Sequence, residues 1–277
     1  MHKKVLEYFV VGAGPAGIAA VGKLIDLSLD PKKIGWIDTH FAVGDLGRKW
    51  LNVSSNNKVD LFIKFLLECK SFHFDPHAKD FSINFIPKEN TCLLKEVVYP
   101  LQWVTKQLMQ KVNTYLGLAR CLHLENGVWH INTENEEILS KNVILAIGCD
   151  AKRLDHGGLL EIPLDIALNP EILPQHVIKD DTVAVFGSSH SAIPILANLL
   201  NLGVKVINFY RSPHLYAVDM GDWTLFDTSG LKGFSADWAK KNLDGKMPSR
   251  LERFFSTDKT LHEHLARCIP LVIEETI

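Results

Sequence analysis

The stretch that decides the fold is Gly12-Ala13-Gly14-Pro15-Ala16-Gly17, which follows an apolar run over residues 5–11. The run is short and rich in β-branched and aromatic residues, as expected of a buried parallel strand. Residues 18–29 then show the apolar spacing of a helix, and residues 34–37 predict a second strand that ends at Asp38. Strand, glycine loop, helix and strand in this order indicate a βαβ unit.

The glycines of this loop have separate tasks in binding a dinucleotide. Gly12 permits a tight turn, Gly14 lets the backbone approach a pyrophosphate, and Gly17 lets the helix pack on the strand. The N-terminus of the helix presents free N–H groups to phosphates. Asp38, about 20 residues past the loop, has the position of an acid that binds a ribose. The predicted site residues are Gly12, Gly14, Pro15, Ala16, Gly17 and Asp38; the alternative is a tight turn without a ligand.

A second unit of the same kind begins at residue 182. An apolar strand over residues 182–186 leads into Gly187-Ser188-Ser189-His190-Ser191-Ala192, and a helix follows through Leu200. Gly203 is placed to cap that helix. The next strand covers residues 204–210, so the sequence repeats strand, loop, helix and strand.

The second loop departs from the first at two positions. Ser189 replaces the second glycine, which narrows the room for a pyrophosphate, and Ala192 replaces the third, which a dinucleotide site permits. Arg211 closes the following strand where the first unit has an acid, and a cation there favours the 2′-phosphate of NADP. A surface arginine on a purely structural unit is the alternative. His190 has two interpretations as well, a contact to phosphate or nicotinamide, or an ordinary loop histidine.

The stretch between the two units predicts further elements. Helices are expected over residues 59–69 and 100–116, the latter with Pro100 near its first position. Asn126-Gly127 indicates a hairpin between strands, and residues 143–147 predict another strand, closed by Gly148. We therefore predict an α/β protein with two Rossmann-like dinucleotide-binding domains, with parallel sheets and a β-meander. The domains are expected at residues 1–155 and 156–277.

Composition excludes several classes of function. The chain has 277 residues, of which 47% are hydrophobic, and its net charge is −2. It therefore lacks the bulk positive electrostatic field that would attract a nucleic acid. No stretch has the roughly 20 consecutive apolar residues that a membrane-spanning helix needs. The five cysteines include no C-x-x-C pair, which argues against a zinc knuckle or a redox dithiol. Scattered thiols of this kind are typical of a cytoplasmic protein.

Metal binding and hydrolysis are not favoured by the motifs. His262 and His264 are two residues apart and would lie on different sides of a helix. His73 and His77 are separated by a segment that contains Pro76, which argues against a helix. The serines around His190 lack the G-x-S-x-G elbow of a hydrolase. We therefore predict no metal site and no nucleophilic serine.

Three strings carry a resemblance to a known family. The first glycine loop, the strand Ile144-Leu145-Ala146-Ile147-Gly148 and the second glycine loop occur in the order found in flavoproteins related to thioredoxin reductase and flavin-containing monooxygenases. The chain most resembles a bacterial and fungal branch of FAD/NAD(P)-binding oxidoreductases. The more specific strings for this resemblance are Ser54-Ser55-Asn56-Asn57-Lys58-Val59, Gly187 to Ile193, and Gly230-Leu231-Lys232-Gly233.

The resemblance implies cofactors and their contacts. FAD would be held by the first loop and Asp38, with Gly148 nearby, and residues 47–57 would run toward the flavin ring. The implied flavin contacts are Trp50, Asn52, Ser55 and Asn56. NADPH would be held by Gly187, Ser188, Ser189, His190, Ser191, Ala192 and Arg211. The implied activity is an NADPH-using flavin oxidoreductase with a small-molecule electron acceptor, monooxygenase-like or a simple reductase rather than a dithiol-disulfide reductase.

The family also has a final FAD-domain segment with a Gly-Asp pair, which this sequence does not show. Residues 266–273 are expected to begin the strand that leads back to the FAD domain. From this difference we expect weaker FAD binding and a possible homodimer. The alternative function is a nucleotide-binding regulatory protein with an incomplete flavin site.

Overall fold

The computed structural model describes residues 4–151 and 159–256, together with the backbone of a strand at residues 271–274. Contacts within the chain divide it into two compact units. The first comprises Met1–Leu51, Val59–Glu89 and Leu94–Cys149, and the second comprises Asn52–Lys58, Asn90–Leu93 and Asp150–Ile277. Two short stretches from the N-terminal half are therefore grouped with the second unit.

A six-stranded sheet forms the centre of the first unit. Its strand order is β3-β2-β1-β6-β5-β4, parallel from β3 to β6 and antiparallel from β6 to β4. The strands are β1 Val5–Val11, β2 Ile34–Asp38, β3 Asn113–Leu116, β4 Ala119–Glu125, β5 Val128–Thr133 and β6 Glu137–Leu145. The last three strands are the predicted β-meander.

The predicted hairpin is confirmed in its backbone. Asn126 and Gly127 both have positive φ, 50° and 78°, which matches a two-residue turn whose twist suits antiparallel strands. The strand predicted over residues 143–147 is wrong in its bounds, because β6 begins at Glu137 and ends at Leu145. Its polar first half reads poorly as a strand by itself, but it hydrogen-bonds to β1 on one side and β5 on the other.

Four helices accompany the first sheet in the described residues: α1 Pro15–Asp26, α2 Gly44–Lys49, α3 Val59–Leu67 and α4 Leu94–Met109. The helix predicted over residues 100–116 is wrong at both ends. Pro100 lies inside α4 rather than at its first turn, and residues 113–116 form β3. A proline within a helix removes one backbone hydrogen bond, but the apolar face that buries Val97, Leu101 and Val104 continues through it. Packing of that face outweighs the lost bond.

The second unit has a five-stranded sheet in the order β12-β9-β8-β13-β7, with every neighbouring pair parallel. Its strands are β7 Leu160–Glu161, β8 Thr182–Phe186, β9 Lys205–Tyr210, β12 Leu251–Phe255 and β13 Leu271–Glu274. A short hairpin is formed by β10 Val218–Asp219 and β11 Thr224–Leu225, and the helices are α5 Leu164–Ala167, α6 Ala192–Asn201 and α7 Gly233–Asn242. Gly203 follows α6 with φ 76°, as its predicted role as a cap requires.

Two features of this sheet differ from the expectation. Residues 271–273 were expected to lead back to the first domain, but β13 pairs with β7 and β8 in the second sheet. The strand β12 was not predicted, because its five residues include two adjacent charged side chains and do not alternate between apolar and polar. It forms because β9 offers it a complete parallel edge. Within the described residues, no helix has the length and apolar character needed to cross a membrane.

Candidate functional site

The first glycine turn is closed by backbone packing at two of its glycines. Gly12 has φ 103° and donates its N–H to the carbonyl of Ile37 at 2.8 Å. A Cβ on Gly12 would lie 2.3 Å from the carbonyl oxygen of Ala146, and a Cβ on Gly17 would lie 1.9 Å from that of Gly12. Neither position can carry a side chain, so the fold itself requires both glycines.

Gly14 differs from Gly12 and Gly17, the other two glycines of the loop. A Cβ there would meet only the Cα of Gly44, at 3.9 Å, which is ordinary contact. Gly14 also has an extended backbone that any residue adopts, and no side chain caps the helix that begins at Pro15. The protein thus leaves open space beside uncapped N–H groups at a helix N-terminus, an arrangement that suits an anion such as a pyrophosphate.

Asp38 is fixed beside this turn by three backbone donors. Its Oδ2 accepts the N–H of Ala13 at 2.8 Å, and its Oδ1 accepts the N–H groups of His40 at 2.8 Å and Phe41 at 2.7 Å. A carboxylate has about four acceptor positions, so roughly one remains for another donor. Asp38 therefore holds the loop in shape and still has room to accept one ribose hydroxyl.

A cavity of about 220 Å³ lies at the carboxyl ends of β2 and β3. Ile37, residues 114–117 and residues 133–136 line it. The N–H of Gly117 donates to the backbone carbonyl of Asp38 at 3.0 Å, which joins this cavity to the edge that carries the glycine turn. Gly148, the remaining predicted residue of this region, follows β6 with φ 68° and is exposed.

The implied flavin contacts fall into different units. Trp50 ends α2 in the first unit, whereas Asn52, Ser55 and Asn56 belong to the second. Ser55 is buried; its hydroxyl donates to the carbonyl of Asn57 at 2.8 Å and accepts the N–H of Cys92 at 3.1 Å. These bonds give Ser55 a role in holding its own segment, and its contact with a flavin stays a prediction.

Asn56 joins three segments of the second unit. Its side-chain amide donates to Nε2 of His190 and to the carbonyl of Gly230, both at 2.9 Å. Its Oδ1 accepts the N–H of Lys232 at 2.9 Å. The two specific strings of the sequence, around residues 54–59 and 230–233, are thus brought together at the second glycine loop, and Asn56 is the residue that links them.

His190 is neutral in this arrangement. Because Asn56 donates to its Nε2, that nitrogen carries a lone pair. Burial lowers the pKa of His190, and Lys232 lowers it further, against the opposing effect of the Gly230 and Ser229 backbone. The ring is held within the protein, which favours the interpretation of His190 as a structural loop residue over a cationic phosphate contact.

The second glycine turn repeats the main hydrogen bond of the first. Gly187 has φ 115° and donates its N–H to the carbonyl of Phe209 at 2.8 Å. Ser188 is buried and donates its hydroxyl to the carbonyl of Ser212 at 2.5 Å, while Ser189 is exposed. The helix α6 begins only at Ala192, directly after Ser191.

Asn208 supports this turn and was missed by the sequence analysis. It is fully buried in β9, and its amide donates to the carbonyls of Gly187 at 2.7 Å and Val185 at 3.0 Å. An amide side chain in the middle of the apolar run of residues 206–209 was the signal that could have found it.

The register of the two sheets corrects the position given to Arg211. Val11, the last residue before Gly12, pairs with Ile37, and Phe186, the last before Gly187, pairs with Phe209. The residue that corresponds to Asp38 is therefore Tyr210. Arg211 is exposed and comes one residue later in the chain, after β9 has ended at Tyr210.

The structure assembles a group of possible metal ligands that the sequence analysis did not consider. His123, His130 and Glu137 lie on the three strands of the meander, with ligand atoms within 4.8 Å of one another. The rings of His123 and His130 are stacked at 4.7 Å, and Nδ1 of His130 lies 3.0 Å from Glu137. Parallel rings direct their lone pairs side by side rather than toward one point. His73 contacts Lys111 instead, and His262 and His264 lie outside the described residues.

Comparison with known proteins identifies the family. The model of the pyridine nucleotide-disulphide oxidoreductase family matches residues 6–224 of the chain. The chain belongs to this family. The monooxygenase AgnR1 of Paecilomyces divaricatus is 31% identical over 267 residues, an alignment that covers 86% of this chain and 68% of AgnR1. Membership makes the protein a flavin-dependent oxidoreductase in its general class, as the sequence predicted.

Solved structures of other proteins share the fold. The FAD-bound cadaverine monooxygenase DfoA from Erwinia amylovora matches with a TM-score of 0.68 at 12% identity, over 99% of this chain and 78% of DfoA. The thioredoxin reductase of Lactococcus lactis matches with a TM-score of 0.51 at 13% identity, over 90% of this chain and 64% of the reductase. Identities this low show the α/β fold with its parallel sheets, which is the predicted fold class.

Proposed function

We propose that the protein is an FAD-dependent oxidoreductase that takes electrons from NADPH and acts as a monooxygenase or as a simple reductase. The observation that carries this proposal is the open space at Gly14, beside the uncapped start of α1. The fold explains Gly12 and Gly17 without a ligand, but it does not explain why Gly14 lacks a side chain. A pyrophosphate in that space does explain it.

Each part of the first unit has a role in holding FAD. The N–H groups at the start of α1 would bind the pyrophosphate, and the remaining acceptor position of Asp38 would take a ribose hydroxyl. The cavity at the carboxyl ends of β2 and β3 would receive the adenine end. FAD held in this way would supply hydride acceptance from a reduced nicotinamide and transfer of the electrons to oxygen or to an organic acceptor. The protein supplies binding, orientation and electrostatic stabilisation.

The cysteines support an outcome other than dithiol exchange. No pair of the five has C-x-x-C spacing. Cys69 and Cys92 are buried, and burial raises the pKa of the Cys69 thiol to about 11, so that it carries little reactive thiolate near neutral pH. The similar protein AgnR1 is a monooxygenase, and the similar structure of DfoA is that of an FAD-bound monooxygenase. Both favour a monooxygenase over an enzyme of dithiol exchange. A small-molecule electron acceptor and a cytoplasmic location are part of the proposal.

The test is the visible spectrum of the purified chain after reconstitution with FAD and gel filtration. We expect the absorbance bands of bound oxidised flavin, and their loss on anaerobic addition of NADPH. The variant Gly14→Val should fold, as judged by circular dichroism, and should lose bound FAD because its side chain fills the pyrophosphate space. Ser189→Val, at the corresponding position of the second loop, is the matched control and should keep FAD. A folded Gly14→Val protein with stoichiometric FAD would refute the site.

A nucleotide-binding regulatory protein is the second candidate. The specific observation in its favour is that Ser55 and Asn56, two of the implied flavin contacts, have their polar atoms hydrogen-bonded within the protein. A protein of this kind would bind a nucleotide without bleaching a flavin. The same spectrum separates the two candidates, because only the enzyme couples NADPH addition to loss of flavin absorbance.

A further inference from the structure

The strand ends of the two βαβ units can be compared residue by residue. Gly12 and Gly187 donate the same backbone hydrogen bond, to Ile37 and Phe209 respectively, each at 2.8 Å. Asp38 in β2 and Tyr210 in β9 therefore take the same position after that bond. In the first unit the position carries a carboxylate that repels an additional phosphate, and in the second it carries an aromatic ring.

A half-buried arginine stacks on that ring. Arg253 comes from the neighbouring strand β12, where it pairs with Asn208. Its Nε donates to Oδ1 of Asn208 at 2.9 Å, and its Cζ lies 4.4 Å from the centre of the Tyr210 ring. Asn208 in turn donates to the carbonyl of Gly187. A cation is thus connected, through a single side chain, to the second glycine turn.

The guanidinium of Arg253 is incompletely satisfied. Its terminal nitrogen Nη2 is buried and has no hydrogen-bond partner. Burial lowers the pKa of Arg253, against the opposing effect of Tyr210, Asp244 and Tyr216. A buried cationic donor without a partner destabilises a protein by more than a neutral one does, so its presence calls for a reason.

The only carboxylate that influences Arg253 in this region of the described chain is already engaged. Asp244 accepts the hydroxyl of Tyr216 at 2.5 Å and lies 3.1 Å from Nε2 of His214. Nδ1 of His214 is a second buried atom without a partner. Lys240 lies over the Tyr216 ring at 5.1 Å. Arg253 and Lys240 against Asp244 leave the cluster with a positive balance.

We propose that Arg253 is the residue that selects a 2′-phosphorylated adenine nucleotide in the second unit, with exposed Arg211 as an auxiliary cation. This inference rests on the proposed use of NADPH and assigns the selectivity to a residue outside the glycine-loop motif. The 2′-phosphate would supply the hydrogen-bond partner that Nη2 of Arg253 lacks. Since the Tyr210 ring covers the guanidinium, that ring must turn aside when the nucleotide binds.

Binding of two nucleotide fragments to the FAD-reconstituted full chain tests the inference by calorimetry. The probes are 2′,5′-ADP, which has the 2′-phosphate, and 5′-AMP, which lacks it. We expect the wild type to bind 2′,5′-ADP roughly ten- to a hundredfold more tightly, the range of a charge-assisted hydrogen bond. Arg253→Met should remove most of that preference and leave 5′-AMP binding unchanged.

Two further variants keep the test decisive. Arg250→Met is the matched control, because Arg250 lies near the start of the same strand and pairs on the surface with Asp180; it should keep the full preference. Tyr210→Asp leaves Arg253 in place but supplies the carboxylate found in the first unit. It should reduce the affinity for 2′,5′-ADP about tenfold without reducing that for 5′-AMP, because the new charge pairs with Arg253 and repels the phosphate.

The outcomes separate the inference from the proposed function. Equal weakening of both probes by Arg253→Met would show that Arg253 only supports the turn through Asn208, and would overturn the inference. Loss of the preference in Arg211→Ala with its retention in Arg253→Met would overturn it in favour of Arg211. If the wild type binds both probes equally, the proposed selection of the 2′-phosphate is overturned, but the nucleotide site of the second unit is not. A wild type that binds neither overturns the nucleotide site of the second unit, and the inference with it.

Discussion

The two glycine turns share one hydrogen bond and differ in almost everything around it. In the first, α1 begins at Pro15, directly after Gly14, and its N-terminus is uncapped beside open space. In the second, α6 begins only at Ala192, five residues after Gly187, and His190 in between is bound by Asn56. The comparison shows that the backbone bond forms the turn, whereas the neighbouring side chains determine how much helix N-terminus is left for a ligand.

The third loop position should give the largest difference between the turns. Gly17→Ala places a Cβ 1.9 Å from the carbonyl oxygen of Gly12, so the backbone must move. We expect it to lower the free energy of unfolding by about 3 kcal/mol or more. Ala192 already carries a Cβ, and Ala192→Gly should lower it by only about 1 kcal/mol. Denaturant unfolding monitored by circular dichroism measures both, and equal losses would show that the turns are packed alike.

The acid at the strand end should have an intermediate effect. Asp38→Asn replaces one acceptor oxygen by an amide, which faces either the N–H of Ala13 or those of His40 and Phe41. A backbone donor left without its partner destabilises by about 1–3 kcal/mol. Tyr210→Phe, at the corresponding position of the second unit, removes only a hydroxyl and serves as the control. If the two variants unfold at the same denaturant concentration, Asp38 does not hold its turn as described.

The smallest expected effect is a pH dependence confined to the second turn. The pKa of His190 is lowered in the folded chain below its ordinary value of 6.5, chiefly by burial. The unfolded chain therefore binds the proton more readily, and the stability contribution is present above pH 6.5 and is lost as the pH falls through the folded pKa. Protonation also places an N–H against the amide of Asn56 and breaks their hydrogen bond.

Denaturant unfolding between pH 7.5 and about pH 5 checks this expectation. The wild type should lose stability as the pH falls, and His190→Gln should lose measurably less over the same range. A glutamine oxygen can still accept from Asn56, which makes it the conservative replacement. Identical pH profiles for the two proteins would contradict the assignment of a lowered pKa to His190.

Local patterns were sufficient for much of the fold. The two apolar strands that precede glycine turns, the Asn126-Gly127 hairpin and the cap at Gly203 were all predicted correctly, because each depends on residues adjacent in the chain. The predicted bounds of α4 and β6 were wrong, because long-range contacts determine where these two elements begin and end. Pro100 looks like a helix start until the buried face around it is seen, and the polar start of β6 looks like a loop until its two neighbours pair with it.

The site shows the same division. The residue types of the first turn, Gly12, Gly14, Gly17 and Asp38, could be read from spacing alone, since a dinucleotide turn is a local structure. Which of the glycines the fold needs, and which leaves space for a ligand, could not, because that depends on the distances to Ala146 and Gly44 from other parts of the chain. Spacing also gave Arg211 the position that the register gives to Tyr210.

By itself, then, the sequence determined that this chain forms two βαβ units with a glycine turn in each, because strand, glycine, helix and strand follow one another within about 30 residues. Only the tertiary structure brought Arg253 onto Tyr210 and Asn56 onto His190, across 43 and 134 positions of the chain. No local pattern encodes such pairs. They form because the parallel pairing of β9 with β12, and the grouping of residues 52–58 with the second unit, bring polar side chains from distant parts of the chain close together.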